Sequence, residues 1–94
     1  MHQALKDAIT ISKTLLRNGY DAHVINAPLQ EHLLETAKQP TVDIACEPDL
    51  DTLIKLFPKA VPQQDRRALA TLEENGFVYC FYPLGVAAAG HPEL

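Results

Sequence analysis

A carboxylate inside an apolar, strand-like stretch is the first feature of this sequence that could do chemistry. The stretch TVDIAC, from Thr41 to Cys46, contains Asp43, and the acidic segment EPDLD follows it. A strand that carries a carboxylate to its end often serves metal or phosphate chemistry, because Mg²⁺ and Ca²⁺ prefer oxygen ligands. Asp43 is therefore a candidate metal ligand. The competing interpretation is a solvated residue, or one that caps the following helix.

The elements that would position Asp43 can be read from periodicity and turn signals. Apolar residues at helical spacing predict a first helix at 2–18, and Gly19 is a plausible stop signal for it. Asn75-Gly76 between two apolar runs predicts a hairpin. The other predicted elements are a strand at 21–25, a helix from Pro28 to before Pro40, a strand at 41–46, a helix capped by Asp49 or Asp51 and stopped by Pro58, an irregular loop at 59–67, and hairpin strands at 68–73 and 77–82. This order predicts an α+β fold, with a small mixed sheet, helices mainly on one face and a C-terminal hairpin.

Composition excludes several classes of protein. The chain has 94 residues, 47% hydrophobic and 21% charged, which is typical of one soluble domain. Its formal net charge of -4 argues against a strongly basic nucleic-acid-binding surface. A local contact to RNA or phosphate at Arg66 and Arg67 remains a candidate. No apolar run is long enough for a membrane span and no signal peptide is evident, so we expect a cytoplasmic protein without membrane contact.

The two cysteines have no spacing that suggests a metal site. Cys46 and Cys80 lie far apart, each in a strand-like stretch. They are predicted to be buried free thiols, because a disulfide is unusual in a reducing compartment.

The stretches GYDAHVINAPLQEHLL and TVDIACEPDLDTLIKLFP, followed by the hairpin, together resemble a known family. They are similar to the head domain of tRNA nucleotidyltransferases and bacterial poly(A) polymerases, in the polymerase-β-like nucleotidyltransferase superfamily. The resemblance runs from about Lys6 to Tyr82. It implies nucleotidyl transfer with two divalent metals, which carboxylates on adjacent strands would hold. It also implies a paired glycine loop and an Arg-Asp pair at the triphosphate.

Most of the parts that the resemblance implies are replaced in this sequence. The glycine pair falls on Asn26 and Ala27, the Arg-Asp pair on Gln30 and Glu31, the first Asp of D-x-D on Thr41, the F-G-T motif on Leu69-Ala70-Thr71, and the last-strand carboxylate on or near Cys80. Asp43 is the second Asp of D-x-D and is retained. One carboxylate cannot hold two magnesium ions, because the ions depend on several shared anionic oxygens.

These departures predict a catalytically inactive, degenerate head-like domain at 1–84 that acts as a binding or scaffolding module. Residues 85–94 would be a tail, or the start of a linker to the rest of a longer RNA- or nucleotide-processing chain. Asp43 would be a remnant of the metal site, with no cofactor. A degenerate nucleotide loop would lie at Asn26, Ala27 and Gln30. The expected partners are RNA or the other domains of the same chain.

Two alternatives remain open at the level of sequence. The chain could be an active tRNA or RNA nucleotidyltransferase fragment, in which Asp43 binds Mg²⁺ with carboxylates from elsewhere, such as Glu31, Glu73 or an absent region. It could instead be a protein-interaction or dimerisation module unrelated to RNA, which an exposed patch on the strand Tyr79–Tyr82, an edge strand open to pairing or a stable homodimer would favour.

Overall fold

The chain forms a mixed sheet with helices packed against it. The computed structural model describes residues 3–26, 40–63 and 68–85. Within these ranges the elements are α1 (Gln3–Arg17), β1 (Ala22–Asn26), β2 (Thr41–Cys46), α2 (Leu50–Leu56), β3 (Val61–Pro62), β4 (Ala70–Glu74) and β5 (Phe77–Pro83). The strand order is β1-β2-β5-β4-β3. The β2–β5 pair is parallel and the other three pairs are antiparallel. The predicted α+β class is confirmed.

Helix α1 packs on the sheet through one stripe and ends in a motif that the sequence specifies. Its buried residues follow a 4-3-4 spacing: Ala4, Ala8, Ile11 and Leu15. At its end the Tyr20 N–H donates to the Leu15 carbonyl and the Gly19 N–H donates to the Leu16 carbonyl, both at 3.0 Å. This is a Schellman motif, and Gly19 adopts the positive φ of 87° that the motif requires. The Gly-Tyr pair of the sequence is therefore a helix stop.

Helix α2 lies on the same face of the sheet as α1. Asp49 caps it, since its side chain accepts a hydrogen bond from the Thr52 N–H at 3.0 Å. Leu53 is fully buried. The Phe57 ring stacks on Phe81 of β5 with centroids 5.3 Å apart. Both helices thus contribute to one hydrophobic core on one face of the sheet, as predicted.

The predicted hairpin is present and its turn explains the Asn-Gly pair. Asn75 has φ 53° and Gly76 has φ 85°, and Glu74 pairs with Phe77 across the turn. Two consecutive positive φ values are typical of a type I′ turn, whose twist matches that of the flanking strands.

One prediction about strands was wrong. Val61 and Pro62, which were assigned to the irregular loop at 59–67, pair with β4 as the short edge strand β3. An edge strand tolerates proline because its missing N–H is not needed on the open side. The strand Tyr79–Tyr82 is part of β5, which lies between β2 and β4, and its residues Tyr79, Cys80 and Phe81 are buried. This strand therefore offers neither the open edge nor the exposed patch that would favour an interaction module.

Several predictions concern segments outside the described residues. These are the helix between Pro28 and Pro40, the loop residues 64–67 and the tail after Gly85. They and the proposed division at residues 84 and 85 stay predictions. No helix in the described ranges is long and apolar enough to cross a bilayer.

Candidate functional site

The face of the sheet opposite the helices carries the candidate site. Alternation along β2 places Val42, Ile44 and Cys46 in the helix-covered core. The intervening Asp43 and Thr41 therefore project from the other face. Asp43 is the third of the six residues of β2. Its interpretation as a strand-end helix cap was wrong, because Asp49 caps α2.

Asp43 joins three strands through its carboxylate. The register of β1 shifts between Val24 and Asn26, and this irregularity sets Asn26 beside Asp43. The Asn26 amide and the Tyr82 hydroxyl both donate hydrogen bonds to the half-buried carboxylate. Burial raises the pKa of Asp43 above its ordinary value, and the two hydrogen bonds oppose this rise without cancelling it. Neutral donors on β1 and β5 thus hold the carboxylate.

The positions that the resemblance assigns to the other carboxylates lie close to Asp43. Thr41 lies two residues earlier on the same face and is exposed. Cys80 of β5 pairs directly with Asp43 in the parallel register and is only 5% exposed. The strand pairing thus brings Thr41, Asp43 and Cys80 together on one face of the sheet, and of these three only Asp43 offers a carboxylate.

This donor set does not fit a pair of magnesium ions. Mg²⁺ prefers oxygen ligands in near-octahedral geometry, whereas a cysteine sulfur selects softer metals. Among residues 3–26, 40–63 and 68–85, no group of three or more His, Cys, Asp or Glu side chains is placed to hold a metal ion.

Glu73, a carboxylate considered for an active enzyme, is poorly placed to complete the site. It pairs with Val78 of β5, and Val78 pairs with Thr41 of β2. Two strand spacings and a two-residue offset separate its Cα from that of Asp43 by roughly 12 Å. A metal ion shared by both carboxylates would require a much shorter separation. The other carboxylate considered, Glu31, lies outside the described residues.

The cysteines lie on opposite faces of the sheet. Cys46 is fully buried in the helix-covered core, and burial raises the pKa of its thiol to about 12. Cys80 projects from the face of Asp43. Both are buried thiols, as predicted, and the two are not joined by a disulfide. The Cys46 thiol remains protonated at neutral pH, so it is a poor nucleophile.

The remaining predicted site residues are only partly described. Asn26 is the described member of the predicted nucleotide loop. Ala27 and Gln30, and the predicted phosphate contacts Arg66 and Arg67, lie outside the described residues.

Sequence reasoning missed Tyr82 as a partner of Asp43. Alternation along β5 places Tyr82 on the face opposite Tyr79 and Phe81, both of which are buried in the helix-covered core. The parallel pairing of β2 with β5 brings Tyr82 to Asp43. No local sequence pattern predicts that pairing.

Comparison with known proteins supports the fold. No family model and no curated protein matches the chain. A crystal structure of the CCA-adding enzyme of Bacillus stearothermophilus, in complex with CTP, is similar to it with a TM-score of 0.62 and 23% sequence identity. The similarity covers 87% of this chain and 20% of the enzyme, so the chain spans about a fifth of the enzyme's length. The chain therefore has a nucleotidyltransferase-like fold.

Proposed function

We propose that this chain is a catalytically inactive, degenerate nucleotidyltransferase head-like domain that serves as a binding or scaffolding module. The observation that carries the proposal is the environment of Asp43. Its carboxylate accepts hydrogen bonds from Asn26 and Tyr82, while its neighbours on the same face are Thr41 and Cys80. A metal-dependent enzyme would need further carboxylates at those neighbouring positions.

The chemistry of nucleotidyl transfer explains why this environment matters. Two metal ions activate the attacking hydroxyl and stabilise the leaving pyrophosphate, and each ion needs anionic oxygen ligands. A single carboxylate whose oxygens already accept two hydrogen bonds has few lone pairs left to bind two metal ions. Asn26 also puts a side chain where the resemblance implies a glycine that lets the triphosphate approach the backbone.

A role as a module is supported by the way the domain is held together. The Schellman stop of α1, the Asp49 cap of α2 and the Phe57–Phe81 stack need neither a metal nor a nucleotide. In the CCA-adding enzyme the matched region is a minor part of the chain. We infer that the present domain works beside other domains, in an RNA- or nucleotide-processing protein.

The test is an amide NMR titration with Mn²⁺, whose paramagnetism broadens resonances close to a bound ion. For the wild-type chain we expect no selective broadening around Asp43, with or without ATP or CTP. The matched variant is Thr41→Asp, which restores the D-x-D pair at an exposed position, and it should acquire broadening centred on residues 41 and 43. Saturable broadening of the wild type at Asp43, abolished by Asp43→Asn, would overturn the proposal.

An assay of activity separates the proposal from an active fragment. Labelled CTP or ATP is incubated with tRNA, Mg²⁺ and the wild-type chain, with Asp43→Asn as the control. We expect no incorporation above the control. Incorporation by the wild type that Asp43→Asn abolishes would establish the active alternative.

A further inference from the structure

Helix α1 presents a second apolar stripe, which is separate from the stripe in the core. Leu5, Ile9 and Leu16 are 36%, 37% and 54% exposed. Spacings of four and seven residues align them along one line of the helix, because seven residues make almost two turns. The line is about 16 Å long at 1.5 Å per residue. It runs along one flank of α1, about 110° around the helix from the core stripe.

A row of positive charge borders this stripe on the side away from the core. Lys6, Lys13 and Arg17 are exposed, and their spacings of seven and four residues place them on one side of α1. Asp7, the only acidic residue in the helix sequence, is held by hydrogen bonds to Asn75 and Tyr79 of the hairpin. The flank of the stripe is thus cationic, although the whole chain has a net charge of -4.

We propose that this outer face of α1, formed by the apolar stripe and the cationic row, docks an acidic amphipathic helix of a protein partner. Anchors at such spacings are how helices recognise one another in an apolar groove or along a seam. The positive row selects a partner with Glu or Asp beside its own apolar stripe, because like charges at an interface are strongly disfavoured.

Other occupants match this surface less well. A second copy of the chain in parallel register would bring its own cationic row against this one. An RNA would neutralise the cations through its phosphates and leave Leu5, Ile9 and Leu16 exposed to water. The proposal does not depend on whether the Asp43 site is inactive, because the two surfaces use different residues.

The test uses a synthetic peptide of about 20 residues, a length at which helices form measurably, with Leu at heptad a and d positions and Glu at the flanking positions. The control peptide carries Lys in place of every Glu. Fluorescence anisotropy should show the acidic peptide binding at least about tenfold more tightly, a difference of about 1.4 kcal/mol. Affinity should fall as salt shortens the screening length from about 10 Å at 0.1 M toward about 3 Å at 1 M.

Variants then assign the binding to α1. Ile9→Gln combined with Leu16→Gln should weaken the acidic peptide about tenfold, and so should Lys13→Glu combined with Arg17→Glu. The matched controls are Val61→Gln, which changes an apolar residue that is 55% exposed on β3, and Lys55→Glu on α2. Both controls should bind like the wild type. Thermal unfolding confirms that each variant folds.

Several results would overturn the proposal. These are equal affinity for the two peptides, binding that survives the apolar variant, and a dimer in ultracentrifugation that Leu16→Gln dissociates. Tight binding of a single-stranded RNA that needs Lys13 and Arg17 but not Ile9 and Leu16 would assign the surface to RNA instead.

Discussion

Replacing Asp7 with alanine should destabilise the domain, because this carboxylate connects α1 to the hairpin. Its Oδ2 accepts hydrogen bonds from the Tyr79 hydroxyl at 2.8 Å and from the Asn75 amide at 2.9 Å. Its Oδ1 accepts one from Gln3 at 2.8 Å. The first two contacts join parts of the chain that are about 70 residues apart in sequence.

The expected loss follows from the burial of the donors. Tyr79 is fully buried as a residue, so its hydroxyl would lose a charged acceptor at a cost of about 1–3 kcal/mol. The bonds from Asn75 and Gln3 are exposed, and water can replace the carboxylate there. We expect a total loss of about 2 kcal/mol in the free energy of unfolding, which lowers Tm by about 8–16 °C in a domain of this size.

A double-mutant cycle measures the contact directly. Urea and thermal unfolding are compared for the wild type, Asp7→Ala, Tyr79→Phe and the double variant. Lys13→Ala, which changes an exposed residue further along the same helix, is the control and should change stability by less than about 0.5 kcal/mol. Additivity within about 0.3 kcal/mol would refute the reasoning, because contacting residues should couple.

The pH dependence provides a second check on the same contact. Burial alone would raise the pKa of Asp7, but the hydrogen bonds from Asn75, Tyr79 and Gln3, together with the nearby charge of Lys6, outweigh burial. The pKa therefore lies below its ordinary value of 3.8. The stabilisation is therefore present above pH 3.8 and is lost as the pH falls through the pKa of the folded state. The stability gap between the wild type and Asp7→Ala should narrow in acid. A difference in stability that stays constant with pH would mean that the charge of Asp7 does not stabilise the folded state.

Two further substitutions test the site and the turn. The pKa of Asp43 is raised, so its ionisation lowers stability as the pH rises from 3.8 through the folded-state pKa. At pH 7, Asp43→Asn should therefore unfold at a urea concentration equal to or higher than that of the wild type. The gain in the free energy of unfolding should be up to about 1 kcal/mol and should disappear in acid. A loss in the free energy of unfolding above about 2 kcal/mol would contradict this reasoning. Gly76→Ala should cost about 1–2 kcal/mol in thermal unfolding because φ is 85°, although the space around a new Cβ is open. Gly76→Asn should cost less, since asparagine tolerates positive φ, and equal losses would argue against a conformational cause.

Much of the fold could be predicted because its signals are local. Gly19 stops α1 and Asn75-Gly76 turns the hairpin, since each residue satisfies a backbone requirement within a few positions of itself. Asp49 caps α2 for the same reason. The short strand β3 was missed because its pairing partner is β4, and a two-residue strand containing Pro62 has no periodicity of its own.

The environment of Asp43 was less predictable because it depends on contacts between distant segments. Tyr82 reaches Asp43 through the parallel pairing of β2 with β5, and Asn26 reaches it through the register shift in β1. The resemblance identified Thr41 and Cys80 as the positions to compare with Asp43. It gave no information on which groups donate hydrogen bonds to the carboxylate.

These donors provide a reason why a carboxylate can persist in the sheet without the metal ions of an active enzyme. A half-buried charge needs compensation, which a bound cation or hydrogen-bond donors can provide. At Asp43 the Asn26 amide and the Tyr82 hydroxyl provide part of it, since the pKa is still raised, and they also connect β1 and β5 to β2. Under the proposed function, the side chain at position 43 serves as a hydrogen-bond acceptor that connects three strands. Its presence alone is therefore weak evidence for catalysis.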